Sequence, residues 1–286
     1  VACGTAYHSC LFGKKYLEFL NVPIFTEIAS EFKYSKHLLT KNTLCIFVSQ
    51  SGETADTIAC VKKCKCKTLA ITNVPNSSIT FACKKTILMK AGWERAVAST
   101  KAYSCQLLIF YLLKCLLKDE KPKIKTLIRQ SKQYLNSLNL TQLAKKVANF
   151  DKVMFIGRQD DYITAKEGAL KLKEISYINC TACPSGELKH GTLALVDENT
   201  LIILISTKNN LISKNLLTKE EIEARGGKCL ILGNFENADI KLPKLSSDLM
   251  PILSILPLQV LACEVCILKG YNPDKPRNLS KSVTVE

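Results

Sequence analysis

Hydroxyl and amide side chains are concentrated in one short segment, Ser49-Gln50-Ser51-Gly52-Glu53-Thr54, which follows an apolar run and precedes a helical pattern. The free N–H groups and the dipole at the start of a helix favour an anion there. Gly52 lets the backbone come close to a ligand. An ordinary hydroxyl-rich helix cap is the alternative, but Cys3-Gly4-Thr5 and Ala98-Ser99-Thr100 also precede helical patterns. Three such turns in one sheet favour a phosphate site.

Two carboxylates and an ammonium group recur at helical spacing in Glu167, Lys171 and Glu174. Positions i, i+4 and i+7 fall in one narrow stripe of a helix. Leu170 and Ile175 flank the stripe, which indicates that it faces a cleft. A solvated Glu–Lys pair is the alternative. These residues alone leave both interpretations open.

Two further candidates lie outside the apolar patterns. His190 lies in a polar, Gly-flanked turn; histidine titrates near neutral pH, which suits the opening of a hemiketal ring, and a structural hydrogen bond is the alternative. Lys281 lies in a polar tail, where lysines are usually solvated and the chain is disordered unless tied down. Pro273 and Pro276 stiffen the chain that leads to the tail. The alternating pattern of 282–285 predicts that Val283 and Val285 bury apolar surface and thereby order the tail.

The elements that position these residues are predicted by continuous apolar runs. Such runs are typical of parallel strands covered on both faces. The runs are 1–4, 44–49 and 68–73 in the first half, and 153–157, 201–206 and 229–234 in the second. Corresponding positions keep a nearly constant offset, as in the pairs Gly4/Gly157, Ser49/Ser206 and Asn73/Asn234. This offset predicts a duplicated fold.

Helical patterns between the runs predict an α/β protein. They cover 6–19, 54–64, 101–118, 162–178 and 215–225. Alternating strands and helices give two doubly wound parallel sheets, in which ligands bind at the carboxyl ends of the strands. The charged stretch 119–123 contains a proline and marks a boundary. We therefore predict domains at 1–120 and 121–270, and a C-terminal active-site tail at 271–286.

Composition excludes several classes of protein. The 286 residues carry a net charge of +15, but the lysines are spread along the chain without a block of like charges, so we expect anionic small molecules and no nucleic acid. The uncharged runs 102–113 and 249–263 are shorter than the roughly 20 residues of a spanning helix, so we expect no membrane. The chain has no secretory leader and no initiator Met, which indicates a cytoplasmic fragment of a longer parent.

The chain has fourteen cysteines, which without a leader indicate reduced cytosolic thiols. They include the pairs Cys180/Cys183 and Cys263/Cys266 and the group Cys60, Cys64 and Cys66. None of these has a histidine at zinc-finger spacing. We therefore expect small core residues, no metal and no cofactor.

Taken together, the motifs resemble one enzyme family. The segment 49–54 is similar to the phosphate loop of sugar isomerase (SIS) domains, and the whole set resembles the glutamine–fructose-6-phosphate amidotransferases from the first residue to the last. The other motifs are Cys3-Gly4-Thr5, Val97-Ala98-Ser99-Thr100-Lys101-Ala102, Glu167-Gly168-Ala169-Leu170-Lys171-Leu172-Lys173-Glu174, Gly186-Glu187-Leu188-Lys189-His190-Gly191 and Arg277-Asn278-Leu279-Ser280-Lys281-Ser282-Val283-Thr284-Val285-Glu286. The resemblance implies two SIS subdomains of flavodoxin-like type that convert fructose 6-phosphate and ammonia, drawn from glutamine, to glucosamine 6-phosphate.

The resemblance also implies roles for individual residues. Glu174 would be the general base that moves a proton between C1 and C2, supported by Glu167 and Lys171. His190 would open the sugar ring from the neighbouring subunit, which implies a homodimer, and Lys281 would form a Schiff base with the open-chain ketose. The implied substrate-binding residues are Cys3, Gly4, Thr5, Ser49, Gln50, Ser51, Thr54, Val97, Ala98 and Ser99.

The sequence departs from the family pattern at a few positions. Ala6 replaces a serine and removes a potential phosphate hydroxyl. Trp93 and Arg95 interrupt an approach to Val97 that is otherwise richer in glycine, which puts the local loop geometry in doubt. Gln159 and Thr192 stand where the family commonly has Gly and Pro. None of these changes removes a proposed catalytic group.

The implied partner is an N-terminal glutaminase domain of the parent chain. Two alternatives stay open. One is an SIS-type amino-sugar-phosphate isomerase or deaminase that works without glutamine. The other is a non-catalytic sugar-phosphate sensor, which would have no need for Glu174, His190 and Lys281.

Overall fold

The structure is a computed structural model, and it describes residues 1–285. It contains two compact units: Val1–Glu120 with the tail that starts at Arg277, and Lys121–Pro276. Each unit has a parallel sheet and its own buried core. These two units are defined by the contacts within each of them. The domain limits 1–120, 121–270 and 271–286 stay predictions.

The sheet of the first unit has three parallel strands in the order β1-β2-β3. They are β1 Leu44–Ser49, β2 Lys67–Thr72 and β3 Lys85–Leu88. Phe47, Ala70 and Ile71 are fully buried, which confirms that the continuous apolar runs form strands covered on both faces. Ser49 pairs with Thr72, so both strands end at the same edge of the sheet.

The first apolar run behaves differently from the others. The Val1 ammonium group donates to the Ile46 carbonyl at 2.8 Å, and the Val48 N–H donates to the Val1 carbonyl at 3.1 Å. Ala2 makes an isolated parallel bridge. A helix already begins at Gly4, which leaves too short a segment for a ladder. The segment 1–4 is thus the extended end of a strand beside β1, as predicted, but it is too short to form a full strand of the sheet.

Helices alternate with the strands of the first unit. They are α1 Gly4–Leu17, α2 Ala29–Phe32, α3 Ala55–Lys63, α4 Ser78–Ala82 and α5 Lys101–Leu117, with a 3-10 turn at Glu18–Leu20. Helices α1 and α5 pack closely, because a Cβ on Gly13 would lie 2.6 Å from the Phe110 ring. Glycine at this position lets the two helices approach.

The second unit has five parallel strands in the order β5-β4-β6-β7-β8. They are β4 Lys152–Gly157, β5 Asn179–Pro184, β6 Thr200–Ser206, β7 Lys228–Gly233 and β8 Ile240–Lys241. The helices are α6 Ile124–Ser137, α7 Thr141–Ala148, α8 Asp160–Ser176, α9 Ile212–Glu223 and α10 Met250–Leu268, with 3-10 turns at Ser185–His190, Thr192–Leu195 and Asn209–Leu211. Every residue of β6 is buried, as expected for the central strand of a doubly wound sheet.

The turn between β4 and α8 is tight. A Cβ on Gly157 would lie 2.5 Å from the Asp161 carbonyl carbon, so glycine is required where the helix approaches the strand. Gln159 has φ of 53° and ψ of −123°, a region in which non-glycine residues are strained by about 1–3 kcal/mol. This conformation explains why a glycine would suit position 159. In this chain the surrounding turn holds Gln159 in it.

Helix α10 corrects one expectation. The uncharged run 249–263 looks too short to span a membrane, but the helix continues to Leu268 and is long and apolar enough to do so by length and composition. Of its most apolar 18-residue window, 61% is buried inside the protein. The core helix of a soluble protein passes the same test, so this helix is weak evidence for a membrane span.

Candidate active site

Ser49 ends β1, and its hydroxyl organises the turn that follows. Its Oγ accepts the Gly52 N–H at 3.0 Å and lies 2.9 Å from Thr54 Oγ1. Ser51 Oγ accepts a backbone N–H two residues further on, at 3.2 Å. Gln50 lies in the same turn. A hydroxyl that accepts one bond can still donate another, so the turn presents donors to an anion at the start of α3.

The turn is fastened to the start of α4. Gly52 has φ of +71°, and a Cβ there would lie 2.0 Å from Ser77 Oγ. The Ile79 N–H donates to the Gly52 carbonyl at 3.0 Å. The Glu53 carboxylate accepts from the Ser78 N–H at 2.8 Å and from its hydroxyl at 2.6 Å. Both the backbone conformation and the lack of space therefore require glycine at this position.

Three of the predicted binding residues form the start of α1. Cys3 is the N-cap in extended conformation, and Gly4 and Thr5 begin the helix. Burial, helped by the negative charge of Asp56, raises the pKa of the Cys3 thiol. The thiol is therefore protonated at neutral pH and is a weak donor rather than a nucleophile.

The predicted segment 97–99 leads into α5, and this helix is capped by a residue outside the predicted site. The buried Glu94 carboxylate accepts the Ala102 N–H at 2.8 Å and the Thr100 N–H at 3.5 Å. A carboxylate near a helix start satisfies unpaired N–H groups and complements the helix dipole. The available signal was an acidic residue shortly before a helical pattern.

Trp93 and Arg95 lie on either side of Glu94. The Arg95 guanidinium carbon lies 5.1 Å from the centroid of the Trp93 ring, in a cation–π contact. Trp93 is 77% exposed, and the Lys101 ammonium donates to its carbonyl at 2.7 Å. The two departures from the family pattern are thus accommodated at the surface, while the buried carboxylate between them holds the helix.

The C-terminal tail brings Lys281 to the segment that precedes α5. Its ammonium group donates to the Ala96 carbonyl at 2.7 Å and lies 3.4 Å from Ser99 Oγ. Lys281 is half-buried. The tail is therefore ordered within the first unit and places a primary amine beside one of the predicted binding residues.

The means by which the tail is held differ from those expected. Val283 is 54% exposed and Val285 is 74% exposed, so the prediction that both bury apolar surface is wrong. The Ala55 N–H, at the start of α3, donates to the Val283 carbonyl at 3.0 Å. A backbone hydrogen bond and the Lys281 contacts hold the segment, and neither has a signature in the sequence.

The second unit contains a buried group of charges on α8. Lys171 Nζ lies 2.6 Å from Glu174 Oε2 and 3.5 Å from Glu167 Oε1. The Lys171 and Glu167 side chains are 2% and 0% exposed, whereas that of Glu174 is 22% exposed. The alternative of a solvated Glu–Lys pair is therefore wrong. Glu174 is the member of the group that reaches solvent or a ligand.

Attraction dominates the charge state of this group. Burial by itself lowers the pKa of Lys171, but the charges of Glu167 and Glu174 outweigh it and raise that pKa. Lys171 is consequently an ammonium ion that holds the Glu174 carboxylate in place by a charge-assisted hydrogen bond. The second oxygen of that carboxylate can still accept a proton.

His190 lies in a separate segment of the second unit. It is the last residue of the 3-10 turn Ser185–His190 and is exposed. Gly191 follows with φ of +135°, a conformation that favours glycine. The polar, Gly-flanked turn predicted from the sequence is confirmed, and its imidazole is available at the surface.

A second buried carboxylate, Asp161, was also missed from the sequence. It accepts the Thr207 N–H at 2.8 Å and the Thr207 hydroxyl at 2.5 Å. Burial raises the pKa of Asp161, although the Thr207 donors act in the opposite direction. Next to it, the Asn215 amide donates to Ser206 Oγ at 2.9 Å. These bonds close the turn after β6.

Comparison with known proteins gives this geometry a context. The SIS domain family matches residues 1–114 and 146–268. The chain is 43% identical over 311 aligned residues to a glutamine–fructose-6-phosphate aminotransferase (isomerizing) from Caldanaerobacter subterraneus, and 40% identical over 306 to one from Bacillus subtilis. In both cases all of this chain aligns with 51% of the relative. The chain thus spans about half the length of the curated relatives that it matches.

Solved structures show the same fold. The C-terminal domain of glucosamine-fructose-6-phosphate aminotransferase from Francisella tularensis is 35% identical, with a TM-score of 0.86 over 96% of this chain and 85% of that one. A glucosamine-6-phosphate deaminase from Thermotoga maritima is 23% identical, with a TM-score of 0.85 over 99% and 88%. At that lower identity the likeness concerns the fold alone.

The requirement for glycine at position 52 can be tested with a matched pair of variants. Gly52→Ala should destabilise the protein by about 2–4 kcal/mol, because positive φ and a steric overlap add. Gly92→Ala is the control: its φ is +73° but no atom lies within 4 Å of the new Cβ, so only about 1 kcal/mol is expected. Urea unfolding measures both. Equal losses would show that the overlap with Ser77 has no energetic consequence.

Proposed function

We propose that this chain, which belongs to the SIS domain family and within it to the C-terminal domains of the glutamine–fructose-6-phosphate aminotransferases, isomerises fructose 6-phosphate to an aldose 6-phosphate. With ammonia, supplied by glutamine in the parent protein, the product is glucosamine 6-phosphate. The relatives carry the corresponding name over their whole length, of which this chain covers 51%.

The observation that carries the proposal is the charge group on α8. Isomerisation moves a proton from C1 to C2 of the open-chain sugar, and one base on one face of the enediol can perform both steps. Glu174 has the required carboxylate, the greatest exposure in its group and a fixed orientation from Lys171. Glu167 contacts the Lys171 ammonium at 3.5 Å from a fully buried position, so Lys171 and Glu167 are positioning residues.

The first unit supports the binding of the sugar phosphate. The hydroxyls of Ser49, Ser51 and Thr54 share one turn at a helix start, where a dianionic phosphate is stabilised by donors and by the helix dipole. Lys281 would attack C2 of the open-chain ketose and release water to form a Schiff base. Ser99, 3.4 Å from its Nζ, can accept a hydrogen bond from the ammonium form.

Further features are proposed from the same family membership. His190 would open the sugar ring in the site of a neighbouring subunit, which makes the active protein a homodimer; its exposure is compatible with that role. The parent protein would carry a glutaminase domain and act in the cytoplasm. A glutamine-independent deaminase is less favoured, because that likeness rests on 23% identity against 43% for the aminotransferase.

Replacement of Glu174 by Gln tests the proposed base. The amide keeps the shape but cannot accept the proton, so kcat for conversion of fructose 6-phosphate should fall by about 10²- to 10⁴-fold while sugar-phosphate binding survives. Glu198→Gln, at an exposed position of the same unit, should leave kcat unchanged. Near-normal turnover in Glu174→Gln would remove the carboxylate from the chemistry.

The covalent role of Lys281 can be tested by trapping. Borohydride added with fructose 6-phosphate reduces a C2 Schiff base to a stable secondary amine, and peptide mass spectrometry should locate the adduct on Lys281. Lys281→Arg should give no adduct, because a guanidinium stays protonated. Lys275→Arg, an exposed lysine of the same region, should not change the yield. An adduct elsewhere, or none during active turnover, would contradict the role.

A further inference from the structure

Three cysteines from different elements of the first unit converge at one end of its sheet. Cys45 is the second residue of β1, Cys64 follows the last residue of α3, and Cys66 immediately precedes β2. Their three Sγ atoms all lie within 4.8 Å of one another. The sequence shows only the Cys64-Lys65-Cys66 part of this group, because Cys45 lies 21 residues before Cys66.

The spacing of the sulfur atoms suits a single metal ion. A thiolate–metal bond of about 2.3 Å, with tetrahedral or trigonal angles, places sulfur atoms about 3.8–4.0 Å apart. The Cys66 thiol donates to Cys45 Sγ at 3.3 Å, so small side-chain rotations would produce that separation. Among residues 1–285, this is the group of three or more cysteine, histidine or carboxylate side chains in which all ligand atoms lie within 4.8 Å of one another.

Burial and charge around the group also suit an ion. Cys45 is 7% exposed and Cys66 is 4% exposed, whereas Cys64 is half-buried and provides access from solvent. Three thiolates with a monovalent or divalent cation leave a net negative charge. Four lysines flank the ligands in the chain and offset that charge; they are Lys62, Lys63, Lys65 and Lys67.

The group is separate from the proposed active site. Ser49 lies at the carboxyl end of β1, four residues beyond Cys45, so the two are about 13 Å apart along the strand. An ion at the opposite end of the sheet would not touch the sugar phosphate. It would instead join β1 to the connection between α3 and β2. It would thereby hold α3, whose N-cap, Thr54, is the last residue of the proposed phosphate loop.

We propose that Cys45, Cys64 and Cys66 form a three-thiolate structural site for one soft d10 cation, Zn²⁺ or Cu⁺. Thiolate ligands select these ions over the hard cations Mg²⁺ and Ca²⁺. Zn²⁺ would complete a tetrahedron with water on the exposed side of Cys64, and Cu⁺ would need no fourth ligand. Binding displaces the thiol protons to solvent and changes no oxidation state.

Metal titration of the full chain tests the proposal. The protein, reduced and stripped with a chelator, is titrated with Zn²⁺ and, in a separate anaerobic arm, with Cu⁺, each against a competing chromophoric chelator. In at least one arm, the wild type should bind one equivalent of the metal ion with high affinity. In Cys64→Ser, the affinity of this site should be at least about 10-fold weaker, so that its high-affinity equivalent is lost. Cys105→Ser removes a half-buried thiol of the same unit outside the group and should bind like the wild type.

A second readout separates binding from folding. Circular dichroism checks that Cys64→Ser is folded, and the melting temperature should rise on addition of the ion for the wild type and Cys105→Ser but not for Cys64→Ser. The arm that shows the effect identifies the ion. Equal stoichiometry and affinity in the wild type and Cys64→Ser, or no high-affinity equivalent in either arm, would overturn the proposal.

Discussion

One buried cation, Lys171, sets the strictest constraint on the second unit. Burying an ion costs several kcal/mol unless partners and hydrogen bonds offset the loss of water. Glu167 and Glu174 provide this offset from the same helix, at i−4 and i+3. Glu167 and Lys171 can be buried because α8 packs closely against α10. A Cβ on Gly168 of α8 would lie 2.7 Å from the Leu258 side chain of α10. The Glu174 carboxylate is oriented as a result, because the buried Lys171 ammonium group that it contacts is fixed in position.

The duplicated sheets use corresponding positions in different ways. In the first unit, the Ser49 hydroxyl at the end of β1 bonds to the Gly52 N–H and to Thr54 Oγ1, and hydroxyl groups of this turn can still donate to a ligand. In the second, Ser206 at the end of β6 accepts from Asn215, and Thr207 is bonded to the buried Asp161. Internal polar bonds thus close the second turn. The same strand–turn–helix geometry therefore provides the proposed anion site in one unit and a structural network in the other.

Much of the scaffold could be predicted from the sequence because it depends on long apolar periodicities. The five predicted helices and the runs that form β1, β2, β4, β6 and β7 agree with the structure. Strands β3, β5 and β8 were missed, because all three are edge strands without a long apolar run. Contacts between distant residues were missed for another reason. The approach of Cys45 to Cys66, 21 residues apart, depends on tertiary structure that local patterns do not encode. The cap that Glu94 gives to α5 did have a local signal, an acidic residue shortly before a helix.

In the proposed reaction, one carboxylate held on one face of the sugar moves the C1 proton of fructose 6-phosphate. The most direct test of this step uses two samples of fructose 6-phosphate, each deuterated at one of the two prochiral C1 positions. Each sample is incubated with the full chain in water, and the deuterium at C1 is followed by NMR. Deuterium should leave C1 in one sample only and be partly lost to solvent, because an enediol formed by one base exchanges with water. Retention of both labels, or equal loss from both positions, would contradict it.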